Sequence, residues 1–500
     1  MKTLKQLSEF LKQTHSETDT ALADLQLDSR QLKKGDVFIA LQGLNNHGLD
    51  YLKQAIDSGV SCAIADRVLN ETEQAWLEQA KLKPVLMLVE NLADQLAELA
   101  NWFYEQPSNK IKVVGITGTN GKTSTAHYLA QLLLQLGQTP ALIGTLGNGV
   151  VKSLDNMTLQ TALNTTPDVV SVHRLLHQFS QQGANWVVME VSSHALELGR
   201  VEGVEFTSVA LTQVTRDHLD FHGTEQAYQD AKAKLFLDYQ SQSQVLNIDD
   251  DLGSQLAISG ELANMVSYSV DGKESALLRC VQNILTTDGI RSDLEFKTQT
   301  GQACLNLMGR FNIENVLCAL GIILANGFKF NELMELLPKL TSVKGRMQKV
   351  SSQPTVIVDF AHTADALQQV LQALKDHLSA LQENRIWVVF GCGGDRDQGK
   401  RPLMAKVAES LANYVVLTSD NPRFESPQKI MDETLLGFNQ PGLVKVIEDR
   451  ELAIEFALSQ ASKNDVVLVA GKGHENYQEI NGQKLPFSDE QVVLNWVNRE

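Results

Sequence analysis

Lys112 to Ser124 reads KVVGITGTNGKTS, an apolar run followed by a glycine-rich loop and a basic residue. The run predicts a buried strand, and the residues after the loop have the spacing of a helix. Backbone amides of a glycine loop at a helix N-terminus bind phosphate, Lys122 supplies a positive charge to the β and γ oxygens, and Thr123 is a candidate Mg²⁺ ligand. The spacing departs from the common P-loop pattern, because Ile116 stands where its first glycine belongs and the first loop glycine is Gly118. We predict a phosphate-binding loop, with a chance Gly-Lys-Thr in a glycine-rich turn as the alternative.

Six further apolar runs end in polar residues in the same way. Each predicts a fully buried strand that delivers polar side chains at its carboxyl end, and helical segments alternate with these strands. The alternation predicts an α/β fold with mostly parallel sheets, in which ligands bind outside the carboxyl ends of the strands. The pattern of residues 250–310 predicts shorter strands, which we expect to form an insertion packed on the central sheet. The runs begin at Trp186, Ser208, Thr355, Ile386, Tyr414 and Asp465, and the helical segments are Ala126 to Leu136, Asn315 to Ala325 and Ala364 to Leu374.

The composition narrows the class of protein. The chain has 500 residues with 43 Lys+Arg against 60 Asp+Glu, and its net charge of −17 disfavours nucleic acid and anionic membranes as partners. Five scattered cysteines without a Cys-x-x-Cys pair argue against disulfides and a zinc site. No apolar run reaches the ~18 residues of a membrane span, and the first residues lack the apolar stretch of a secretory signal. We expect a cytoplasmic monomer with no nucleic-acid partner and no stable membrane association.

Two breaks in the pattern predict three domains. The segment Glu105 to Lys110 is polar, contains a proline and precedes the first strongly buried strand. The second break lies where Val343 to Arg346 crosses from one alternating series to the next. The predicted domains are a smaller N-terminal α/β domain at 1–109, a central P-loop domain with a doubly wound, mostly parallel sheet at 110–345, and a C-terminal Rossmann-like domain at 346–500.

Seven motifs stand in the order found in the Mur ligases, and the chain resembles that family from about Leu27 to Glu475. The resemblance implies ATP-dependent formation of a peptide bond through an acyl phosphate in bacterial cell-wall synthesis, with ATP as co-substrate and Mg²⁺ as cofactor. It also implies that the three domains bind the UDP end of one substrate, ATP, and the incoming amino acid. The motifs are Gly118–Thr123, Asn164–Pro167, Met189–His194, Thr215–Asp220, Gly309–Asn315, Asp359–His362 and Asp420–Arg423.

Within the family, the resemblance points to members that add meso-2,6-diaminopimelate to a UDP-N-acetylmuramoyl dipeptide. Addition of L-lysine is the alternative in the same class. A folylpolyglutamate-synthetase-like enzyme is more distant, because it would not need the segment Leu27 to Arg30. A P-loop ATPase that acts as a switch or motor is the alternative from another class, and the net charge and the lack of a basic groove signature oppose it.

Four residues are candidates for catalysis, and three of them also for metal binding. Phosphoryl transfer depends on fixed cations and metal ions, which suits Lys122 at the phosphates. Glu190 ends a buried strand, where a carboxylate can hold Mg²⁺ as the acidic residue of a P-loop ATPase does. His218 resembles the family's second metal ligand, with an ordinary structural histidine as the alternative. The fourth candidate is Lys232.

Lys232 lies in a segment with helical spacing. At ~100° per residue, one face carries Tyr228, Ala231, Lys232, Leu235 and Tyr239, and Lys234 points the other way. A lysine on an apolar face has to pair or reach out to solvent. The resemblance implies that Lys232 is carbamylated to N6-carboxylysine, an anion that binds Mg²⁺, and a helix lysine that reaches out to solvent is the alternative.

The resemblance assigns further residues to ATP and to the UDP-linked substrate. Asn315 is placed toward the adenine, with a helix-cap role as its alternative. Leu198 is a departure, because some relatives carry a glutamine two residues before the matching arginine. For ATP the positions are Gly118, Thr119, Asn120, Gly121, Lys122, Thr123, Asn315, Arg346 and His362. For the UDP-linked substrate they are Leu27, Ser29, Leu44, Asn45, Asn46, Asn164, Thr165, Thr166, Ser192 and Arg200, and a simple turn is the alternative at 44–46.

The amino-acid site is predicted on charge complementarity. A guanidinium binds a carboxylate through two parallel hydrogen bonds, so Arg423 suits the second carboxylate that diaminopimelate has and lysine lacks. Arg396 stands where a dinucleotide fingerprint requires glycine, which argues against NAD and for a substrate loop. An ordinary turn is the alternative for Asp420 to Arg423. The resemblance adds Arg396 toward a substrate carboxylate, and Gly471 and Glu475 toward the distal ammonium group. The assigned residues are therefore Arg396, Asp420, Asn421, Pro422, Arg423, Gly471 and Glu475.

Overall fold

The chain folds into two compact units. The computed structural model describes residues 2–13, 19–43, 45–81, 83–154, 159–162, 164–259, 264–286, 289–378 and 384–499. The first unit comprises Met1–Thr117, Gln138–Val209 and His218–Gln242, and the second comprises Gly118–Gly137, Ala210–Asp217 and Ser243–Glu500. The three predicted domain ranges stay a prediction.

The first 110 residues, all in the first unit, form a parallel sheet with helices. Its strands are ordered β1-β2-β3-β4, and all three neighbouring pairs are parallel. The apolar strands β2 and β3 are buried along their whole length. The elements are α1 Leu4–Phe10, β1 Leu25–Gln26, β2 Val37–Ala40, α2 Leu52–Ser58, β3 Cys62–Ala65, α3 Glu71–Gln79, β4 Val85–Leu88 and α4 Leu92–Phe103.

Residues 112–211 carry strands β5 to β9. In the first unit the order is β9-β5-β8-β6-β7, with β5, β8 and β6 parallel and β7 antiparallel to β6. Helix α5 and the last two residues of β9 belong to the second unit. The elements are β5 Lys112–Thr117, α5 Lys122–Gln135, β6 Pro140–Gly144, β7 Gly147–Val150, α6 Val169–Gln181, β8 Trp186–Glu190, α7 Ser193–Glu197, β9 Phe206–Leu211, α8 Leu219–His222 and α9 Glu225–Leu237.

Residues 241–334 add five strands of the described chain in the order β10-β11-β12-β13-β14. The first three are parallel neighbours, whereas β12, β13 and β14 pair antiparallel. The elements are β10 Ser241–Asn247, α10 Asp251–Ile258, β11 Met265–Ser269, β12 Leu278–Thr286, β13 Gly289–Phe296, β14 Gln299–Leu305, α11 Phe311–Ala325 and α12 Phe330–Met334.

The C-terminal part of the second unit forms another sheet, ordered β15-β16-β20-β17-β18-β19. Only β15 is antiparallel to its neighbour among these described strands. Strands β16, β17 and β20 are buried throughout, and apolar clusters lie against the sheet. The elements are β15 Gln348–Ser352, β16 Thr355–Asp359, α13 Ala364–Leu378, β17 Ile386–Phe390, α14 Lys400–Leu411, β18 Tyr414–Leu417, α15 Pro427–Leu435, β19 Lys445–Val446, α16 Arg450–Gln460, β20 Val466–Ala470, β21 Tyr477–Ile480, β22 Gln483–Pro486 and α17 Asp489–Val497.

The predicted fold class is confirmed. All seven apolar runs are strands, and the large sheet is mixed rather than purely parallel. The interpretation of 250–310 was wrong in two respects. These strands are hydrogen-bonded members of a sheet rather than a layer packed on it, and β12, with nine residues, is not a short strand. Within the described ranges, no helix has both the length and the apolar character needed to cross a membrane.

Candidate active site

The phosphate loop takes the backbone conformation that its glycines allow. Gly118 has φ +149° and Gly121, the N-cap of α5, has φ +85°. A Cβ on Gly118 would lie 2.0 Å from Thr212 Oγ1, and one on Gly121 would lie 2.3 Å from Asn315 Oδ1. Both positions therefore exclude a side chain on steric grounds as well as on backbone angle. The loop meets α5 at its N-terminus, where backbone amides and the helix dipole favour an anion.

The segment after β9 holds this loop in place. Thr212 Oγ1 donates to Asn120 O at 2.6 Å, and Thr119 N donates to Gln213 O at 2.6 Å. Thr119 Oγ1 also accepts from Thr215 N at 2.9 Å. The loop is thus fixed by hydrogen bonds before any ligand is bound.

Lys122 lies across the loop that precedes it. Its Nζ donates to the carbonyl oxygens of Gly118 at 2.7 Å and Thr119 at 2.9 Å. Thr123, next in the chain, is 9% exposed. The ammonium group is therefore held on the loop itself. From there it can exchange its hydrogen bonds to the loop carbonyl oxygens for hydrogen bonds to phosphate oxygens.

Asn315 lies beneath the phosphate loop and is buried. Its Oδ1 accepts from Thr125 Oγ1 at 3.4 Å, and its Nδ2 donates to Asn312 Oδ1 at 3.2 Å. Asn312 Oδ1 also accepts from Tyr128 OH at 3.0 Å. These contacts join α11 to α5, so the structure gives Asn315 a role in supporting the loop.

Arg346 and His362 surround the ring of Phe360. The Arg346 guanidinium lies 5.2 Å from the ring centroid, His362 lies 4.7 Å from it, and His474 lies 5.1 Å from it. Arg346 Nε and His474 Nδ1 are buried without a hydrogen-bond partner in the described structure. Burial, with Arg346 nearby, lowers the pKa of His127 to about 4. His127 and His474 were not predicted as site residues, although His474 directly precedes the predicted Glu475.

Glu190 ends β8 and is buried beside Gly144 at the end of β6. Its Oε1 accepts from Thr145 N at 2.8 Å and its Oε2 from Thr145 Oγ1 at 3.2 Å. Thr145 Oγ1 lies 3.1 Å from Thr165 Oγ1. A carboxylate oxygen of this kind fits a hard divalent cation.

Hydroxyl groups connect Glu190 to residues predicted for the UDP-linked substrate. Thr166 Oγ1 donates to Glu190 O at 2.8 Å and accepts from Ser192 N at 3.1 Å. Arg200 Nη1 donates to Thr166 O at 3.1 Å, and Ser192 caps α7. Asn164 is exposed and Leu198 is 55% exposed. The structure thus gathers Thr165, Thr166, Ser192 and Arg200 around the end of β8.

Aromatic rings surround His218 in the same unit. The His194 ring lies 4.8 Å from that of His218 and 4.1 Å from that of Phe221. His222 accepts from or donates to Ser193 Oγ at 3.0 Å and lies 5.3 Å from the Tyr228 ring. Burial lowers the pKa of His194 and that of His222. His194 and His222 were not predicted as site residues, although His194 stands in the motif Met189–His194.

Lys232 faces inward on α9, as the helical spacing predicts. Its side chain is 1% exposed, and Nζ lies 4.5 Å from the centroid of the Tyr228 ring. Lys234 is partly exposed and pairs with Glu197 at 2.8 Å. Only Lys232 of these two lysines is therefore in the interior.

The positions predicted in the N-terminal part are less closely gathered. Ser29 is buried and Leu27 is half-buried, whereas Asn45 and Asn46 are exposed, and Asn46 Nδ2 donates to Tyr51 OH at 3.1 Å. Leu44 lies outside the described residues. Asp28 Oδ1 accepts from Arg30 Nε at 2.9 Å, and this contact lowers the pKa of Asp28 to about 2.

The predicted amino-acid loop follows β18 and contacts the β21–β22 hairpin. Arg423 has φ +51°, its Nη1 donates to Gly394 O at 2.7 Å, and its Nε lies 3.3 Å from Glu479 Oε2. Asp420 and Pro422 are buried, whereas Arg396 is exposed. The hairpin, which sequence reasoning did not include in the site, therefore positions the arginine.

The loop after β20 brings Glu475 to the same place. Glu475 Oε2 accepts from Asn421 Nδ2 at 2.9 Å and from Lys472 Nζ at 3.0 Å. A Cβ on Gly471 would lie 2.5 Å from Asp420 Oδ2. Lys472 was not predicted, because a lysine between two glycines carries no signal of burial. Among the described residues, no group of three or more His, Cys, Asp or Glu side chains is placed to hold a metal ion.

Comparisons with known proteins agree along nearly the whole chain. Residues 23–104 match the Mur ligase family catalytic domain, residues 116–323 the Mur ligase middle domain, and residues 345–473 the Mur ligase glutamate ligase domain. The UDP-N-acetylmuramoyl-L-alanyl-D-glutamate--2,6-diaminopimelate ligase of Pseudomonas putida KT2440 is 42% identical in an alignment of 492 residues that covers 95% of each chain.

Two solved structures extend this likeness to the fold. A structure of a UDP-N-acetylmuramoyl-L-alanyl-D-glutamate--2,6-diaminopimelate ligase aligns with a TM-score of 0.70 at 32% identity, over 98% of each chain. The MurF ligase of Thermotoga maritima in complex with ADP aligns with a TM-score of 0.61 at 18% identity, over 97% of this chain and 99% of that one, and shows the fold alone. Because the Pseudomonas putida relative is 42% identical over 95% of this chain, the chain belongs to the Mur ligase family.

Proposed function

We propose that this protein is an ATP-dependent ligase that adds meso-2,6-diaminopimelate to UDP-N-acetylmuramoyl-L-alanyl-D-glutamate in peptidoglycan precursor synthesis. The observation that carries the proposal is the group of charged side chains after β18 and β20, where Arg423 lies on one loop with Asp420, and Glu475 reaches Asn421 of that loop. A cation and carboxylates so placed match an amino acid that carries both a second carboxylate and a second ammonium group. The name of the 42% identical relative supports the same activity.

The reaction requires an activated carboxylate. The terminal D-glutamyl carboxylate attacks the γ-phosphorus of ATP, which forms an acyl phosphate and releases ADP. The amino group of diaminopimelate then attacks the acyl carbon, forms the peptide bond with loss of a proton, and expels phosphate. Neither step needs a nucleophile from the protein, so the chain's task is to position the substrates and stabilise charge.

Lys122 is the proposed cation at the transferring phosphoryl group. The support is its position on a loop fixed by Thr212 and Gln213, at the N-terminus of α5. A donor that is already oriented needs little reorganisation when the phosphate binds. This is the condition for strong electrostatic stabilisation. Thr119, Asn120, Arg346 and His362 are proposed as further contacts to ATP. Asn315 is proposed both as support for the loop and as a contact to the adenine.

Mg²⁺ fits the residues present only as a site completed by phosphate oxygens and water, as is usual for this ion. The proposed protein ligands are Thr123, Glu190, His218 and the carbamate of Lys232. When bound, Mg²⁺ neutralises charge that develops on the phosphate oxygens. Lys232 would form its carbamate by addition of the neutral amine to CO₂ with loss of a proton, and the product would be an anion in a buried position.

The UDP-linked dipeptide is proposed to bind Ser29, Asn45, Asn46 and Leu27 in the N-terminal part, with Leu44 assigned from sequence. Near the reacting carboxylate, the proposed contacts are Asn164, Thr165, Thr166, Ser192 and Arg200. The hydrogen bonds among Thr166, Ser192 and Arg200 support this assignment, because they orient several donors at one strand end.

Phosphate release with combinations of substrates tests the proposal. The purified chain with ATP and Mg²⁺ should release phosphate only when UDP-N-acetylmuramoyl-L-alanyl-D-glutamate and meso-diaminopimelate are both present. Release that requires the dipeptide and L-lysine instead would identify the lysine-adding activity. Release without either substrate would favour a P-loop switch or motor.

A further inference from the structure

We propose that Lys472 is a positioning residue of the amino-acid site, whose ammonium group fixes Glu475 and Asn421 to receive the distal ammonium group of the substrate. The inference rests on the proposed function and adds a residue that motif matching does not single out. Lys472 lies in the loop after β20 and is fully buried.

The hydrogen bonds of Lys472 join the two loops of the site. Its Nζ donates to Asn421 Oδ1 at 3.0 Å and to Glu475 Oε2 at 3.0 Å. Asn421 in turn donates to the same Oε2 at 2.9 Å and accepts from Glu479 N at 2.9 Å. Three side chains from two loops thus form a closed set of hydrogen bonds, and all the contacts to Glu475 in this set use Oε2. Its orientation depends on them, because the Glu475 side chain is otherwise partly exposed.

Lys472 also sets the charge of the site. Its Nζ lies 3.9 Å from Asp420 Oδ1 as well as 3.0 Å from Glu475. Arg450, the next buried cation, already makes two hydrogen bonds to Asp489, at 2.7 and 2.8 Å. Two carboxylates and one ammonium leave a single negative charge, which matches one substrate ammonium group. Without Lys472, two nearby carboxylates would be left without their buried cation, a costly arrangement.

The neighbouring glycines explain how a lysine comes to point inward here. Gly471 has φ +118° and Gly473 has φ +53°, so the backbone turns sharply on both sides of Lys472. The Lys472 ammonium lies 5.6 Å from the centroid of the Tyr477 ring. A compact point charge with three donors suits this cluster better than the planar fork of an arginine.

The test measures KM for meso-diaminopimelate with ATP and the UDP-linked dipeptide saturating. Lys472→Met keeps the length of the side chain and removes the charge. We expect KM for diaminopimelate to rise at least about tenfold, because one partner of a buried charge pair is lost. The KM values for ATP and the dipeptide should stay unchanged, and kcat should fall less than KM rises. Lys484→Met is the matched control, since Lys484 lies 4.3 Å from the same Tyr477 ring on an exposed strand.

A double-mutant cycle with Glu475→Gln separates positioning from a general loss of stability. If Lys472 acts through Glu475, the double variant should be little worse than the more impaired single variant. Additive losses in the double variant, or an unchanged KM for diaminopimelate in a folded Lys472→Met variant, would overturn the inference. The proposed function would still stand if the unmutated enzyme is active. An unmutated protein without diaminopimelate-dependent phosphate release would instead refute the proposed function.

Folding of each variant is followed by thermal unfolding. If Lys472→Met does not fold but the double variant does, the pairing of Lys472 with Glu475 is supported, because Glu475→Gln removes the carboxylate left unpaired. If neither variant folds, Lys472 is a structural residue and the inference is wrong.

Discussion

Gly144 ends β6 directly beside Glu190, and only a hydrogen atom fits between them. A Cβ at this position would lie 2.2 Å from Glu190 Oε1 and 2.9 Å from its carboxyl carbon. The two residues meet because β6 and β8 pair in parallel with Ile143 opposite Met189. The missing side chain therefore sets how close the carboxylate comes to Thr145 N, its hydrogen-bond donor.

Gly144→Ala should displace the Glu190 carboxylate and reduce kcat by about 10²-fold, the usual consequence of moving a reacting or ligating group by about 1 Å. Phosphate release under saturating substrates measures the loss, and thermal unfolding shows whether the fold survives. Gly442→Ala is the control, because nothing lies within 4 Å of its added Cβ and its φ is not in the left-handed region. Full activity of Gly144→Ala would remove Glu190 from the proposed catalytic machinery.

Lys122→Ala should abolish ligation while the affinity for the UDP-linked substrate stays nearly intact. The lysine is held on the phosphate loop by Gly118 and Thr119, so its removal takes away the proposed contact to the transferring phosphoryl group. The expected loss in rate is on the order of 10² or more. Single-turnover rates and a binding measurement with the dipeptide check the two halves of this prediction. A variant that keeps more than a small fraction of kcat contradicts the role given to the loop.

At the level of single residues, the sequence predicted features that depend on a few consecutive residues better than contacts between residues far apart in the chain. The glycine loop and the inward face of Lys232 follow from spacing within a few residues, and both are present in the structure. The contact of Gly144 with Glu190 joins residues 46 positions apart and depends on strand register, which no local pattern encodes. Lys472 is missed for a similar reason, because its partners Asn421 and Glu475 lie on two loops that only the sheet brings together.

Helix α9 carries two lysines that face opposite ways, Lys232 into the interior and Lys234 toward solvent. Lys232→Ala should be almost inactive, because the variant cannot form the proposed carbamate, and a short carboxylic acid should partly restore activity by filling the vacated space. Lys234→Ala should be near wild type, since its exposed ion pair with Glu197 contributes only about 0–1 kcal/mol. Phosphate release with and without added acid measures both. Equal losses at the two positions would mean that the inward face is not the functional one.

Helix α11 carries a half-buried carboxyl group, that of Glu314, which makes stability depend on pH. Burial raises the pKa of Glu314 to about 7, Arg310 opposes the shift, and Asp249 adds to it. Because the folded pKa lies above the unfolded value of 4.5, the stabilising contribution is complete below that value and is lost as pH rises through the folded pKa.

Glu314→Gln removes this ionisation and keeps the shape of the side chain. The gain in Tm over the unmutated protein should therefore be small near about pH 5 and largest near about pH 8, where the native carboxylate is charged. Thermal unfolding across this range is the measurement. Glu332→Gln on the exposed side of α12 is the control, and its Tm difference should not vary with pH in the same way. A constant difference for Glu314→Gln would show that burial does not shift its pKa.

At the scale of the molecule, strand order brings motifs that are distant in sequence to one edge of each sheet. Strands β5, β6 and β8 run parallel, and so do β16, β17, β18 and β20, so the polar residues after each strand emerge at one edge of their sheet. Ligand sites belong at such edges. The antiparallel strands β12 to β14 carry none of the predicted site residues, and the sequence pattern did not place them in the sheet, because alternating half-buried strands give a weaker signal than buried runs.

The choice of amino acid is the property that the whole C-terminal sheet is expected to determine. Arg423 is held by Gly394 O on one side and by Glu479 of the hairpin on the other, so its guanidinium is oriented before substrate arrives. A site built to pair a carboxylate rejects an analogue without one by about 10⁴ or more, which predicts strong preference for meso-diaminopimelate over L-lysine. Arg423→Ala should remove most of this preference by lowering kcat/KM for diaminopimelate far more than it affects ATP binding.

Backbone strain does not affect the comparison of Arg423→Ala with the unmutated protein. Residue 423 has φ +51°, which alanine and arginine tolerate about equally poorly. Arg499→Ala, which removes an exposed arginine paired with Glu455, is the control and should leave the preference unchanged. The measurement is kcat/KM for both amino acids in all three proteins. Comparable values for diaminopimelate and lysine in the unmutated protein would refute the specificity and leave the ligase chemistry standing. An unchanged ratio in Arg423→Ala would mean that another residue recognises the second carboxylate, and exposed Arg396 would be the next arginine to replace.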